Sequence, residues 1–427
     1  MIKEITDIQE FLSLLKEHNF ASNPYARFNY YIEYFKKYVP QKFICFVVYK
    51  NNHIIGFLPL EKKNGFYTIC GYKVSNYVSI ICKEEDTELV FSELNTYLHR
   101  RHIIINFYDI NSRSPLYSLL EKTSTKKIDL YPCPVVNINQ SFEELFTTQI
   151  TNSKKRTELR KFQKKIENIG TIKLINIHDT QSYLTYKNLL PRIFSIHKER
   201  FKDTNLNSNV SLSENEEYYS KLIESMAISE NIYLSLLLLD EVVISFLFLL
   251  VEDDLLIDWM PAFDPAFLKY SLGTVHLKML FEELCVSDKY KRFDFSKGAG
   301  LYKDRWASIE TTSSMFLRRY SDNIFVKLRF SYLSFYYSLI SLLRYKGTIT
   351  LVKKFLLKKD RSEQETSTYS INYVSTKEHS SKYLPFDYSY VIDEPISFRK
   401  LLLDELYKGS SLYIVKDTRK VIIVSSK

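Results

Sequence analysis

At 427 residues the chain exceeds one ordinary core, so two or three domains are expected. Its 45% hydrophobic and 26% charged residues suit a globular protein, and only 9 glycines and 11 prolines exclude collagen-like repeats and long low-complexity linkers. A net charge of +9 favours anionic partners (nucleotide-bearing cofactors, nucleic acid, an acidic membrane face) and equally fits a plain basic surface.

Met1 to Gln9 carries charges of both signs and no apolar run, so no secretory signal is expected. Ile5 to His18 reads as a helix with Ile8, Phe11, Leu12 and Leu15 on one face. Strands Phe43–Tyr49 and His53–Leu60 follow, joined at Asn51-Asn52, then strand Phe66–Cys70 after Asn64-Gly65. A helix at Glu88–Arg100 leads into strand Ile103–Ile110. Asn152 to Gly170 then reads as a basic helix with Leu159, Phe162, Ile166 and Ile169 as its apolar stripe.

The first order recurs downstream. Strands Ile232–Leu239 and Val242–Val251 meet at Asp240-Glu241, a charged pair that argues against a membrane span and for a turn. Strand Leu255–Met260, helix Leu272–Cys285 and strand Arg292–Phe295 follow. IIGFLPL lies over VISFLFL with Gly56 opposite Ser245, and Tyr108-Asp109 corresponds to Phe293-Asp294. Hairpin, strand, helix, strand, twice over, predicts a duplicated α/β module: residues 1–145 and 146–325. Beyond them come a helical segment at 326–360 (Leu328–Leu357 apolar, aromatic and basic) and, at 361–427, a linker with a small α+β appendage. That appendage has a helix at Ser397–Tyr407 and strands at Leu412–Val415 and Lys420–Val424. The cysteines, Cys45, Cys70, Cys82, Cys133 and Cys285, are odd in number with no CxxC pair, which predicts buried free thiols in a reducing compartment.

The chemistry is expected between Leu255 and Trp306. Tyr270-Ser271-Leu272-Gly273-Thr274 opens a helix, where unpaired backbone N–H groups point at any anion. Gly273 permits close approach, and Ser271 or Thr274 adds a hydroxyl donor; a plain Ser N-cap explains the same residues. The helix dipole contributes only about 0.3–1 kcal/mol per exposed charge, against about 8 kcal/mol for micromolar affinity. His197 and Arg200 share a helical face and suit either an anionic acceptor or solvent. No histidine pair has metal-ligand spacing, and no nucleophile elbow or Walker loop is present.

The order strand, YSLG helix entry, FDF strand and KGAGLYKDRW helix resembles the CelD/BcsL-like acetyltransferases, a GNAT branch associated with cellulose and exopolysaccharide synthesis. The segment TNSKKRTELRKFQKKIENIG, with Arg156 and Arg160, resembles the basic helix opening that family's catalytic half. The likeness spans about Thr151 to Trp306. It implies tandem GNAT-like domains in an α/β (α+β) fold, each a mixed, mainly antiparallel sheet flanked by helices, akin to the doubled FemABX aminoacyl transferases. It further implies acetyl-CoA or another acyl-CoA as donor, no metal, and an amino sugar or other carbohydrate as acceptor. By position, Tyr270, Ser271, Leu272, Gly273 and Thr274 would hold the pyrophosphate, and Met260 would pair its backbone with the pantetheine; Lys303 suits either a phosphate contact or a plain solvated helix charge. Tyr302 is the expected acid to the thiolate, and Asp294 would orient or deprotonate the acceptor. His197, Arg200, Arg156 and Arg160 are candidate acceptor contacts. Relatives commonly carry an acid between the glycine and the Tyr-Lys pair; here the run is Gly298-Ala299-Gly300-Leu301-Tyr302-Lys303. Three readings stay open: acyl transfer; aminoacyl transfer from charged tRNA, with the Lys154–Lys165 helix on RNA phosphates; and a non-catalytic scaffold. The expected place is the cytoplasm; Arg329–Lys359 suits either a helix that packs on the catalytic half or a contact with an anionic membrane beside a polysaccharide synthase.

Overall fold

The computed structural model describes residues 1–18, 23–72, 74–124, 126–202, 210, 213–298, 301–345, 383–408, 411–415 and 421–424. The first half comprises β1 (Ile2–Ile5), β2 (Phe43–Lys50), β3 (His53–Lys63), β4 (Phe66–Ile69), β5 (Ile81–Cys82), helix α3 (Thr87–Leu98), β6 (Ile103–Asn111), α4 (Pro115–Thr123) and β7 (Lys126–Asn137). The second repeats this plan with β8 (Ile172–Ile177), β9 (Ile232–Leu239), β10 (Val242–Glu252), β11 (Leu255–Phe263), α10 (Leu272–Ser287), β12 (Arg292–Asp294), α11 (Leu301–Trp306) and β13 (Ile309–Tyr320).

The two hairpins share their turn chemistry. Asn51 and Asn52 have φ of 51° and 66°, and Asp240 and Glu241 have 46° and 65°. Left-handed geometry at both central residues gives the twist that strands require. Each hairpin also shifts register near its turn, between Val48 and Tyr49 and between Val243 and Ser245.

The halves exchange their last strands. β7 pairs with β12, β13 pairs with β6, and β7 and β13 pair with each other. The result is one 13-stranded sheet in the order β1-β2-β3-β4-β6-β13-β7-β12-β11-β10-β9-β8, with β5 beside β3. The expected boundary at 145/146 thus divides two modules along the chain that share one sheet in space. β7 carries Pro132 and Pro134 inside this sheet, where proline normally breaks a ladder. It is tolerated because the carbonyls of Pro132 and Pro134, and hence the side their missing N–H groups would face, meet the loop after β12. There Gly298 N and Phe295 N donate to them at 3.0 and 2.9 Å.

Helices cover both faces. α1 (Ile8–Glu17), α2 (Phe28–Lys37), α7 (Thr180–Tyr186), α8 (Leu190–Phe201) and α9 (Ser213–Ile228) share one core with inward residues of both halves, from Phe11 and Tyr31 to Phe246 and Phe248. On the other face α3 and α4 cover the first half, and α5 (Phe142–Gln149) with α10 and α11 covers the second. The expected basic helix is α6 (Ser153–Glu167), capped by Asn152, whose side chain accepts from Lys154 N and Lys155 N. The predicted 328–357 helix is α12 (Ile324–Tyr345); residues 346–357, and the expected linker at Lys358–Thr368, lie outside the described residues. The appendage supplies β14 (Tyr383–Pro385), α13 (Ile396–Tyr407), β15 (Ser411–Val415) and β16 (Val421–Val424). All five cysteines are unpaired, four of them buried.

Candidate active site

β11 and β12 run parallel for only three residue pairs, Leu255 to Ile257 against Arg292 to Asp294. Beyond Ile257, β11 continues to Phe263 without β12 beside it, so its backbone on that side is open. The opposite side stays paired to β10, with a register shift that leaves Trp259 as the extra residue between Asp258 and Met260. A bulge re-aims neighbouring side chains. Trp259 packs against Phe248, Tyr219 and Tyr25 at ring distances of 4.9, 5.6 and 5.8 Å, while Asp258 faces the gap opened by the diverging strands.

That gap is a cavity of about 500 Å³. Ser271, Gly273 and Thr274 line it from the start of α10, Asp258 from β11, Tyr302 and Lys303 from α11, and Arg200 from α8. Ser271, left-handed at φ 50° and ψ 38°, makes no side-chain capping bond; its carbonyl accepts from Thr274 N and Val275 N at 2.9 and 3.1 Å, so the first-turn N–H groups without a backbone partner are those of Leu272 and Gly273. A Cβ on Gly273 would lie 3.2 Å from Phe263 Cδ1, so glycine allows the helix to seat against that ring. Across the mouth the Arg200 guanidinium sits 4.9 Å from the centre of the Phe263 ring.

Asp258 is buried, and its Oδ1 has no hydrogen-bond partner. Burial pushes its carboxyl up to about 7; Lys303 pulls it down and Asp294 pushes it further up. Tyr302 is shifted upward by burial and then by the Asp258 charge, so its hydroxyl stays protonated at neutral pH. The cavity therefore holds a base poised near neutrality, a hydroxyl proton donor and a helix N-terminus.

Residues 153–304 match the acetyltransferase (GNAT) domain family. This part of the chain is a GNAT acyltransferase domain. Solved structures similar in fold include L-PGS from Bacillus licheniformis, at 12% identity over 76% of this chain and 96% of that one, with a TM-score of 0.47. FemX matches at 10% identity over 75% and 96%, with a TM-score of 0.47. A tandem GNAT protein from the clavulanic acid biosynthesis pathway matches at 6% over 76% and 100%, with a TM-score of 0.39. No curated protein matches the sequence.

GNAT acetyltransferases take acyl-CoA as co-substrate, and the open edge of β11 beside the first turn of α10 has the form such a donor needs. Not every expected residue reaches the GNAT cavity. Met260 is buried toward the opposite core, leaving only its backbone to the open edge. The Tyr270 hydroxyl points away and donates to Leu403 O at 2.7 Å, and Leu272 is core. Lys303 does line the cavity, and its Nζ donates to Phe295 O and Lys297 O at 2.6 and 3.0 Å, which ties down the loop after β12. Asp294 is fully buried, bonded to Arg113 at 2.5 Å, Ser296 N at 2.6 Å and Tyr77 Oη at 3.1 Å, and does not line the cavity. His197 packs on Phe201 with ring centres 4.6 Å apart, and burial holds it down at about 4. Arg156 donates to the carbonyls of Ile150 and Thr151, and Arg160 faces Glu143 at 3.4 Å, both away from the cavity. Ala299 and Gly300 lie outside the described residues.

Sequence reasoning missed Asp258. Its signal was a lone carboxylate in the strand run Leu-Leu-Ile-Asp-Trp-Met, where a buried charge needs a reason. Also missed was His276, which is buried in α10 between Ser245 Oγ at 2.8 Å and Ser235 Oγ at 3.1 Å, fastening the helix to β9 and β10 behind the cavity.

The appendage grips the GNAT domain from behind the same loop. Arg399 of α13, almost fully buried, bonds Asp264 and, at 2.7 Å, Glu199. Asp264 also accepts from Arg192 and from the Tyr388 hydroxyl, both at 2.7 Å, and caps the turn Pro265–Tyr270 through Ala266 N. Among the described residues no cluster of three or more His, Cys, Asp or Glu is placed to hold a metal.

Proposed function

We propose that the chain transfers an acyl group, an acetyl group in the first instance, from acyl-CoA to the amine or hydroxyl of an amino sugar or polysaccharide precursor. One observation carries this reading: Asp258 and Tyr302 share a cavity with the first turn of α10. The N–H groups around Gly273 would receive the diphosphate, and the open edge of β11 from Asp258 to Phe263 would take the pantetheine amides as a neighbouring strand does.

Asp258 removes a proton from the acceptor's nitrogen or oxygen, which then bonds to the thioester carbonyl carbon. As the carbon–sulfur bond breaks, Tyr302 gives its hydroxyl proton to the departing thiolate; solvent then returns the proton from Asp258 to Tyr302. A base near neutrality and a donor that stays protonated are the two conditions this exchange needs. With Asp258 as base, the acid that relatives carry before the Tyr-Lys pair is not required. The carbohydrate acceptor rests on the CelD/BcsL-like resemblance and on Arg200 at the cavity mouth. A cytoplasmic setting fits the unpaired cysteines.

A second reading, aminoacyl transfer from charged tRNA, is favoured by the exposed Lys154, Lys155, Lys161 and Lys164 on α6. The two readings separate in one assay series on the full chain. Thiol release from acetyl-CoA in the presence of glucosamine or oligosaccharide amines, abolished in Asp258→Asn, supports the first. Absence of any response to CoA, with salt-sensitive tRNA binding instead, would replace it with the second.

A further inference from the structure

Ser235 and Ser245 interrupt the leucine-rich runs of β9 and β10, and His276 of α10 lies between them, all three buried. Ser245 Oγ donates to Ala262 O at 3.3 Å. A hydroxyl has one proton to give, so Ser245 accepts from His276 Nδ1 at 2.8 Å. Burial holds the imidazole down at about 3, so the ring is neutral and its other nitrogen carries no proton. Nε2 therefore accepts from Ser235 Oγ at 3.1 Å. The bonds run in one direction, from Ser235 of β9 through α10 to Ser245 of β10 and Ala262 of β11.

An apolar side chain would seat a helix on leucines without this arrangement, whereas a buried imidazole is costly unless both nitrogens are bonded. The first half uses the apolar solution at the matching place. Gly56, opposite Ser245 in the repeat, faces Val90 of α3, whose Cγ1 lies 2.7 Å from where a Cβ would stand. Packing alone lets a helix shift by small steps, but a rigid ring bonded at both edges holds it to one position. His276 is one turn along from Leu272 and Gly273, whose N–H groups lack a backbone partner. Ala262 stands in the stretch of β11 beyond Ile257, where β12 no longer pairs. Ser245, Ala262 and Gly273 all line the cavity. A donor must meet both surfaces at once, its diphosphate at the helix start and its pantetheine on the strand edge. The separation of the two surfaces then sets how well one joined molecule can use both.

We infer that His276 is a positioning residue for the acyl donor: through Ser245 and Ala262 it holds the start of α10 at a fixed distance from the edge of β11. This rests on the acyl-CoA reading of the cavity. Acetyl-CoA, ADP and S-acetylpantetheine are titrated into the full-length protein and its Ser245→Ala and His276→Leu variants. Acetyl-CoA bound at least about tenfold more weakly by both variants, with the two fragments bound as in the wild type, supports the inference, because only the joined molecule senses the distance between its sites. Equal losses for the fragments overturn it, since they mean direct contact or a general loosening of α10. Acetyl-CoA bound equally by wild type and variants overturns it and leaves the acyl-transfer reading standing; acetyl-CoA that does not bind the wild type overturns both. The nitrogen NMR spectrum of histidine-labelled wild type needs no substitution. A proton on His276 Nδ1 alone supports the inference. A proton on Nε2 overturns it, because Ser245 would then give its hydrogen to the ring and release Ala262.

Discussion

Lys297 Nζ lies 2.6 Å from Asp109 Oδ2, and the reverse pair, Arg113 to Asp294, spans 2.5 Å. Both aspartates are fully buried, stand at equivalent places on β6 and β12, and each takes its cation from just beyond the other's strand. The ion pairs therefore repeat, in side chains, the strand exchange that joins the halves. Removing one partner of such a pair leaves a buried charge uncompensated, at a cost of about 3–5 kcal/mol; partial exposure of Arg113 and Lys297 places these near the lower figure. Arg113→Met and Lys297→Met are each expected to destabilise by about 3 kcal/mol, with both halves unfolding in one denaturant transition. Two separated transitions in the wild type would show that the halves are not coupled in this way.

Asp258 titrates near 7 in the folded chain, and as a base it must be ionised. kcat/KM is thus expected to rise with pH through that value and level above it. Stability moves the other way. The unfolded chain releases this proton near pH 4, the folded one only at about 7. The native state is favoured while Asp258 is protonated, and this contribution fades as pH rises from about 4 to about 7. Asp258→Asn should abolish turnover, keep donor affinity and flatten that window in pH-dependent melting. Unchanged kcat in the variant would remove Asp258 from the mechanism.

Gly273 stands where a side chain would meet Phe263 at 3.2 Å and enter the cavity. Gly273→Leu is expected to weaken CoA binding at least about tenfold by calorimetry, roughly 1.4 kcal/mol or more. Phe263→Ala in the same background relieves the ring contact but leaves the cavity filled. Restored CoA affinity in the double variant would mean that the glycine serves packing alone.

Arg399 reaches Asp264 and Glu199 from the appendage, beside the Tyr270–Leu403 bond. Arg399→Met is expected to destabilise by about 1.5–3 kcal/mol, the range for a hydrogen bond to a charged group, since the buried Asp264 keeps Arg192 and Tyr388 as partners. Because Asp264 caps the turn that leads into Ser271, the variant should also raise the CoA Kd with little change in kcat. A stability loss with an unaltered Kd would limit the appendage to a structural part.

Much of the fold was legible in the chain. The hairpins at Asn51-Asn52 and Asp240-Glu241, the helix opening at Leu272 and the basic helix after Asn152 follow from turn chemistry, period and capping, all of which act over a few residues. β7 and β13 were not read. β7 carries two prolines at positions that look unfit for a central strand, and only the loop after β12 explains them. Among site residues, Ser271, Gly273, Thr274 and Tyr302 line one cavity, with Arg200 joining from α8; the resemblance, and not spacing, had grouped the first four. Lys303 and Asp294 read alike as polar groups near a site, yet turn to backbone carbonyls and to Arg113.

The sequence by itself determined the duplicated plan, the helix start at Leu272 and the aromatic-acid pair closing each half, because these depend on neighbours along the chain. Only the tertiary structure decided which half would trade strands with which, that Asp258 rather than Asp294 would face the cavity, and that the appendage would brace the turn Pro265–Tyr270. Burial and charge pairing between residues such as Asp294 and Arg113, or Asp264 and Arg399, are fixed by the packing of distant elements, and no local pattern encodes them.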